Sequence, residues 1–172
     1  MLNKVVFHTA RVLNHDLDYA SLRFNFRGVG RSEGDYDHAR GEIGDVQAAW
    51  NEATCRVPGL PLIAGGFSFG AAMSLLASDT SSSGRKPEAL ALVGIPMRLF
   101  SFPDPFTAPI PIAAVHGEYD EFASPARVAA YLRSWPAPSA FRVEPGADHF
   151  LKGSLVEATG FLSQHMKEWL QP

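Results

Sequence analysis

The sequence predicts an α/β fold, with a mostly parallel sheet of about five strands between layers of helices in one three-layer domain. Two observations carry this prediction. Short apolar segments alternate along the chain with helical patterns, which is the order of an α/β protein. Most of these segments are apolar at nearly every position, which indicates strands buried on both faces, as in parallel sheets.

The predicted strands are five segments rich in apolar or β-branched residues. They are residues 20–26, 60–67, 89–95, 110–116 and 140–144. Five prolines punctuate residues 96–111, between the third and fourth of these strands. Because prolines at this density leave no room for a long helix or a folded insertion, we expect the domain to have no large lid or cap there.

Helices are predicted between the strands and after the last one. Ile43, Val46 and Trp50 recur at helical spacing. Ser124 followed by Pro125 is a typical start, with an N-cap and a proline in the first turn. A final apolar stripe, with its members about one turn apart, consists of Leu151, Leu155, Ala158, Leu162, Met166 and Trp169 or Leu170.

Composition narrows the possible partners. The 172 residues suffice for one domain, and 15 Lys and Arg against 18 Asp and Glu form no basic stripe that could follow a phosphate backbone. We therefore do not expect the protein to bind nucleic acid. The single cysteine, Cys55, supplies neither an internal disulfide nor a thiolate metal cluster, which fits a reducing compartment. We expect no cofactor and no metal.

The first residues, MLNKVVFHTA, lack the pattern of a secretory signal, so we expect a cytoplasmic protein. The uncharged run at residues 57–78 is long enough for a membrane span. Its glycines and prolines would break a helix facing lipid, however, so we predict a buried strand, a tight turn and a buried helix instead, and no membrane partner.

The sharpest local motif is GFSFG at residues 66–70, between that strand and that helix. A G-x-S-x-G segment in this context forms a strained turn that projects the serine hydroxyl from the sheet edge. We expect glycine to be required at both Gly66 and Gly70, because the strand and helix backbones approach closely there. Ser68 is therefore the candidate nucleophile, and it needs a base to activate it.

Three histidines downstream of Ser68 are candidates for the base. His149 lies in the loop after the last predicted strand, and we favour it. His116 ends a strand and is more typical of a core or turn residue. His165 lies inside the final helix, where a half-buried structural histidine is the default.

An acid must then orient the base. Asp120 lies a few residues beyond the fourth strand, where its carboxylate can reach the loop of His149. Glu118 and Glu121 are expected to face solvent, and Asp148 adjoins His149 so closely that the two side chains should diverge. Asp104, in the proline-rich connection, is the alternative acid. Ser68, Asp120 and His149 all follow strands, at the edge where open α/β sheets place their sites.

Four segments now support a family resemblance. They are FNFRGVGRSEG after the first strand, GGFSFGAAM at the turn, HGEYDEF at the acid and GADHFL at the base. In this order, and with the chain order Ser, Asp, His, they resemble the α/β-hydrolase family, in its small lidless bacterial, esterase-like branch. The resemblance implies that Ser68 is the nucleophile, Asp120 the acid and His149 the base, and that the backbone N–H of Phe69 is one oxyanion donor.

The segment FRGVGRSEG also invites comparison with a dinucleotide-binding loop. Gly28 and Gly30 begin a G-x-G-x-x-G pattern, but Glu33 occupies its last position, so the fingerprint fails. A tight turn after a strand explains the glycines.

The resemblance further implies that this single domain lacks the family's first three strands. The third of them would lie between residues 20–26 and 60–67 and would carry the loop of the second oxyanion donor. We therefore expect an N-terminally shortened form of a longer hydrolase, through a misassigned start codon or a deletion. An exposed edge strand would favour self-association.

The function implied is hydrolysis of small carboxylic esters or thioesters through an acyl-enzyme, with a small acyl substrate as partner. Apolar residues that could line an acyl pocket are Phe67, Met97, Leu99, Phe100, Phe102, Phe106 and Phe150, about half of which should be ordinary core. The alternatives are a catalytically impaired remnant or interaction module, and a serine peptidase. Acyl length, leaving group and oligomeric state stay open.

Overall fold

The computed structural model describes residues 3–79, 85–103 and 108–170. Two helices precede the first strand, and strands and helices then alternate. The elements are α1 (Lys4–Leu17), α2 (Arg40–Arg56), β1 (Ile63–Phe67), α3 (Phe69–Asp79), β2 (Ala89–Val93), β3 (Ile112–Gly117), α4 (Pro125–Arg133), β4 (Ser139–Glu144) and α5 (Leu155–Leu170).

The sheet within the described residues has the order β1-β2-β3-β4, and all neighbouring strands are parallel. Every residue of β2 and β3 is buried, which confirms the prediction drawn from their continuous apolar runs. Because the register aligns Phe67 with Val93 and His116 with Val143, the strands end close together at one edge of the sheet. The loops that follow them therefore share that edge.

Alternate strand residues contribute to two cores, which makes the domain a three-layer sandwich. Leu90, Leu92 and Ile112 pack on the face covered by α2, α3 and α4, together with Trp50 of α2. The opposite face carries Val93 and the other set of strand residues against α1 and α5. The α/β class and the layer order are thus confirmed.

Residues 20–26 form no strand, so the prediction of a first strand there is wrong and the described sheet has four strands rather than five. A cavity of about 470 Å³ is lined by most of this segment and by β1, with α1 and α2 completing its walls. Because a strand exists only through hydrogen bonds to a neighbour, an apolar segment that faces a cavity does not join the sheet. Phe24 and Phe26 nevertheless pack against the core.

The segment after residue 26 is held by an ion pair that the sequence did not reveal. The Arg27 guanidinium donates to Asp45 on α2 through Nη2 at 2.8 Å and Nε at 3.1 Å, and the Arg27 N–H donates to the same carboxylate at 3.0 Å. Gly28 and Gly30 then adopt positive φ values of +68° and +65° in a tight turn. This contact anchors the segment around Arg27 to α2.

The predicted helices are present. Ile43, Val46 and Trp50 lie in α2, and the Ser124 side chain caps α4 by accepting from the Arg127 N–H. The final helix begins at Leu155, and Leu151 lies in the preceding turn with its side chain buried.

The uncharged run at residues 57–78 contains β1, a turn and most of α3, as predicted. In the ranges that the structure describes, no helix has both the length and the apolar character needed to span a bilayer.

The Arg27–Asp45 pair predicts a specific pH dependence of stability. The hydrogen bond from Arg27 lowers the pKa of Asp45, and burial opposes this only in part. A carboxyl whose pKa is lower in the folded than in the unfolded chain stabilises the fold above the unfolded value of about 4. That contribution disappears as the pH falls through the folded value.

We therefore expect Asp45→Asn to lower the Tm by a few degrees at pH 7, with the difference shrinking toward zero in more acidic buffers. Thermal unfolding followed by circular dichroism from pH 7 to pH 3 measures this. Asp35→Asn, at an exposed carboxylate in the loop before α2, is the control and should leave the Tm unchanged. A constant Asp45→Asn deficit at every pH would contradict the assignment.

Candidate active site

Ser68 lies in the turn between β1 and α3 in a left-handed backbone conformation, with φ at +54°. Non-glycine residues rarely adopt this region, and the surrounding hydrogen bonds hold it there. The Ser68 N–H donates to the Val93 carbonyl at 2.9 Å, and its carbonyl accepts from the Ala72 N–H at 3.0 Å. The strained turn predicted from the motif is therefore present.

The two glycines of the motif are not equivalent. A Cβ added to Gly66 would lie 2.3 Å from backbone atoms of Gly70 and 2.4 Å from the Ala71 nitrogen, so only glycine fits at position 66. A Cβ added to Gly70 would meet no described atom within 4 Å. The expectation that glycine is required is thus confirmed for Gly66 and wrong for Gly70, because the close approach occurs between the Gly66 side-chain position and the start of α3.

Asp120 and His149 are in direct contact. Asp120 follows β3 and His149 follows β4, and the His149 Nδ1 lies 2.7 Å from Asp120 Oδ2 with both residues buried. The second carboxylate oxygen, Oδ1, accepts from the Phe122 N–H at 2.8 Å. The carboxylate is thus bound through both oxygens and directed at the imidazole.

Burial alone would raise the pKa of Asp120. The hydrogen bonds from His149 and the Phe122 N–H, with the nearby His116, outweigh that effect and lower its pKa overall. Asp120 is therefore a carboxylate at neutral pH and can only accept. His149 must then donate to it through Nδ1–H, and Nε2 is the ring nitrogen left to act as a base.

The residue before Ser68 contacts this pair. The ring of Phe67 packs on the His149 imidazole with centroids 4.8 Å apart, and Phe122 contacts the same imidazole at 4.6 Å. Among the described residues, no hydrogen bond joins Ser68 Oγ to His149. Contacts of this kind are often long without substrate and shorten when substrate binds.

The loops that carry Asp120 and His149 are joined to each other by hydrogen bonds. The Tyr119 N–H donates to the Ala147 carbonyl at 2.9 Å, and the Gly146 N–H donates to Glu118 Oε2 at 2.8 Å. A Cβ on Gly117 would lie 2.3 Å from the Asp148 carbonyl oxygen, so the close approach of the loops requires glycine there. The two loops therefore form one unit.

The remaining candidates have structural partners or are exposed. His165 bonds to the Phe161 carbonyl within α5, and Asp148 accepts from the N–H groups of Phe150 and Lys152 in its own turn. Glu118 and Glu121 are exposed, as expected. Asp104, the alternative acid, and Phe106 lie outside the described residues.

Two further residues lie against the pair. His116, one of the candidate bases, is buried beside Asp120, as expected of a core residue. The other was not predicted from the sequence. Gly94 follows β2 with φ at +61°, and a Cβ there would lie 2.9 Å from His149 Cε1 and 3.4 Å from Asp120 Oδ2. A glycine directly after a buried strand was the available signal for Gly94.

Phe69, the expected oxyanion donor, is the first residue of α3, so its N–H has no acceptor within the helix. Its ring contacts Phe26 at 4.9 Å, Phe100 at 5.8 Å and Tyr36 at 6.1 Å between centroids. The N–H therefore lies at the sheet edge with an aromatic cluster beside it.

Comparison with known proteins places this arrangement in a family. A lidless α/β serine hydrolase from Xanthomonas campestris is similar over the whole chain, with 32% identity, a TM-score of 0.88 and 76% of its own length covered. An α/β serine hydrolase homologue from Coxiella burnetii shares 32% identity over 96% of the chain and 77% of its own length, with a TM-score of 0.78. The chain belongs to the α/β serine hydrolases.

Two further proteins are similar to this α/β serine hydrolase. An uncharacterised protein of Rickettsia prowazekii (strain Madrid E) is 31% identical over 96% of the chain and 72% of its own length. The protein Est1E of Butyrivibrio proteoclasticus, solved with ferulic acid bound, has a TM-score of 0.82 at 17% identity, which shows a shared fold. No protein-family model matches the chain.

The hydrolase has no helical lid in the described part of the β2–β3 connection. Residues 94–103 and 108–111 form turns and irregular structure. This agrees with the expectation drawn from the prolines and with the lidless Xanthomonas relative.

The difference between Gly66 and Gly70 can be tested by measuring the free energy of unfolding. We expect Gly66→Ala to destabilise the fold by about 1 to 3 kcal/mol or more, because the methyl group overlaps backbone that cannot move. Gly70→Ala is the matched control and should be neutral or stabilising by up to about 1 kcal/mol, since alanine favours helix. Urea unfolding of both variants measures this, and equal destabilisation would contradict the packing described.

Gly94 provides a second matched pair. Gly94→Ala and Gly146→Ala should each cost about 1 to 2 kcal/mol of left-handed strain. Only the methyl group at position 94 meets His149, since the one at position 146 enters open space within the described residues. We therefore expect fluorophosphonate labelling of Ser68 to slow roughly 10- to 100-fold in Gly94→Ala alone. Equal labelling rates in both variants would show that Gly94 does not position the imidazole.

Proposed function

We propose that this hydrolase cleaves small carboxylic esters or thioesters through an acyl-enzyme formed on Ser68. The observation that carries the proposal is the buried 2.7 Å hydrogen bond from His149 to Asp120. The imidazole packs on Phe67, the residue before Ser68, which is held in a strained turn. These are the parts that nucleophilic acyl transfer requires: an alcohol, a base and an acceptor that fixes the tautomer of the base.

In the proposed first step, Ser68 Oγ attacks the carbonyl carbon of the ester, and its proton passes to His149 Nε2. Asp120 stabilises the imidazolium through the Nδ1–H bond. Negative charge develops on the carbonyl oxygen, and the Phe69 N–H, at the positive end of α3, is the donor that we assign to it. As the tetrahedral intermediate collapses, His149 returns the proton to the departing alcohol or thiol.

In the second step, a water molecule takes the place of the leaving group. His149 Nε2 accepts a proton from this water as its oxygen attacks the acyl carbon. Collapse of the second intermediate breaks the bond to Ser68 Oγ, which is reprotonated, and the carboxylic acid is released. Asp120 remains ionised throughout, since its partners hold its pKa low.

The proposed acyl-binding surface is apolar and open. Of the residues predicted to line it, Met97 is buried in the core, and Phe100 and Phe102 pack against the core. Leu99 and Phe150 keep more than half of their surface exposed, at 60% and 58%. Phe150 also contacts Phe67 at 5.4 Å between centroids, which puts an exposed apolar ring beside the imidazole.

The proposal is tested with p-nitrophenyl acetate and with a fluorophosphonate probe. Ser68→Ala should abolish labelling and reduce kcat/KM at least about 1,000-fold. Asp120→Asn should reduce kcat by about 10,000-fold, because an amide favours the wrong imidazole tautomer. Labelling that persists in Ser68→Ala would refute the assignment of the nucleophile.

A second candidate is a folded but catalytically impaired domain. The observation that favours it is the open cavity beside β1, on the side of the sheet where we expect the second oxyanion donor. One missing donor is worth about 100- to 1,000-fold in rate. Cooperative unfolding together with slow fluorophosphonate labelling and no ester turnover would support this candidate over the esterase.

A further inference from the structure

A second histidine, His116, is buried beside Asp120, and the proposed reaction does not use it. It lies near the end of β3 and has no exposed surface. Its Nε2 is 2.8 Å from the Ala123 carbonyl oxygen and 3.4 Å from Asp120 Oδ2. The carboxylate oxygen that accepts from His149 thus also faces a second imidazole.

The protonation state of His116 follows from its surroundings. The Ala123 carbonyl only accepts, so Nε2 carries the proton and donates to it. Nδ1 is buried and has no partner among the described residues, so a proton there would be an unpaired donor. Burial lowers the pKa of His116, although the bond to Ala123 and the charge of Asp120 partly oppose this. His116 is therefore a neutral donor through Nε2.

The position of that donor has a mechanical consequence. Asp120 and Ala123 both lie in the connection between β3 and the cap of α4. The His116 Nε2–H donates to the Ala123 carbonyl, and the same nitrogen lies 3.4 Å from Asp120 Oδ2. Within the same turn, the Phe122 N–H binds Asp120 Oδ1. His116 holds the turn from the strand side, and Phe122 holds the carboxylate from the loop side.

We propose that His116 is a positioning residue, whose Nε2–H holds the turn so that Asp120 Oδ2 points at His149. The predicted effect on rate rests on the function proposed above, whereas the effect on the hydrogen bond does not. A residue that merely filled this space would be replaceable by any side chain of similar size. A positioning residue must keep its N–H donor.

Two variants of similar length and flexibility separate these roles. His116→Gln keeps an amide N–H that can reach Ala123 and Asp120, and His116→Met fills comparable space without a donor. The first readout is kcat and KM with p-nitrophenyl acetate. The second is the downfield proton NMR signal of His149 Nδ1–H, identified by its absence in His149→Gln.

We expect His116→Met to lower kcat roughly 10- to 100-fold through misplacement of the base, with KM changed by less than about twofold. Its downfield signal should broaden or move upfield. His116→Gln should keep both the signal and most of kcat. Equal kcat and equal signals in the two folded variants would overturn the proposal.

If His116→Met does not fold, His116→Gln decides alone, and a folded Gln variant that loses the signal overturns the proposal. If the unmodified chain does not hydrolyse the ester, the proposed function fails. The NMR comparison then still tests whether His116 positions Asp120, so the two failures are distinguishable.

Discussion

The buried hydrogen bond between His149 Nδ1 and Asp120 Oδ2 is the interaction around which the rest of the site is organised. An ionised carboxylate without partners in this position would cost several kcal/mol, so its burial demands compensation. The structure supplies it through two hydrogen bonds, from His149 and from the Phe122 N–H, with the His116 Nε2 a further 3.4 Å from Oδ2. The buried contact is stable because both carboxylate oxygens accept a hydrogen bond.

Parallel strands in register bring these donors together. β3 and β4 are adjacent, so the loops after them begin side by side, and backbone hydrogen bonds then join the loops. Gly94 and Gly117 lie where a Cβ would enter the imidazole or the opposite loop. Glycine is therefore needed at the ends of β2 and β3, because the loops of Asp120 and His149 pack closely there. The absence of a side chain at Gly94 allows the imidazole to approach the sheet.

The other edge of the sheet is built differently. β1 has a strand neighbour on one side, whereas the side toward residues 20–26 borders a cavity. The Arg27–Asp45 pair holds the following turn against α2 although no ladder joins that segment to the sheet. Ser68 follows β1 and therefore lies between two differently built parts of the domain. The part that carries the imidazole and the carboxylate is held by paired strands, whereas the segment around residues 20–27 is held mainly by side-chain contacts.

The sequence by itself determined the α/β class, the four strands that pair, the turn at Ser68 and the order of Ser68, Asp120 and His149, because apolar periodicity and glycine placement are local properties. It did not reveal that residues 20–26 would remain outside the sheet, since a strand depends on whether a partner is in reach. It also treated Gly66 and Gly70 alike, whereas only the packing of α3 on β1 distinguishes them. The contact of His116 with Asp120 spans only four residues, yet its burial there depends on how the turn after β3 folds. The approach of Gly94 to His149 was decided by tertiary structure alone, because the two residues are distant in the chain and meet only when the sheet has formed.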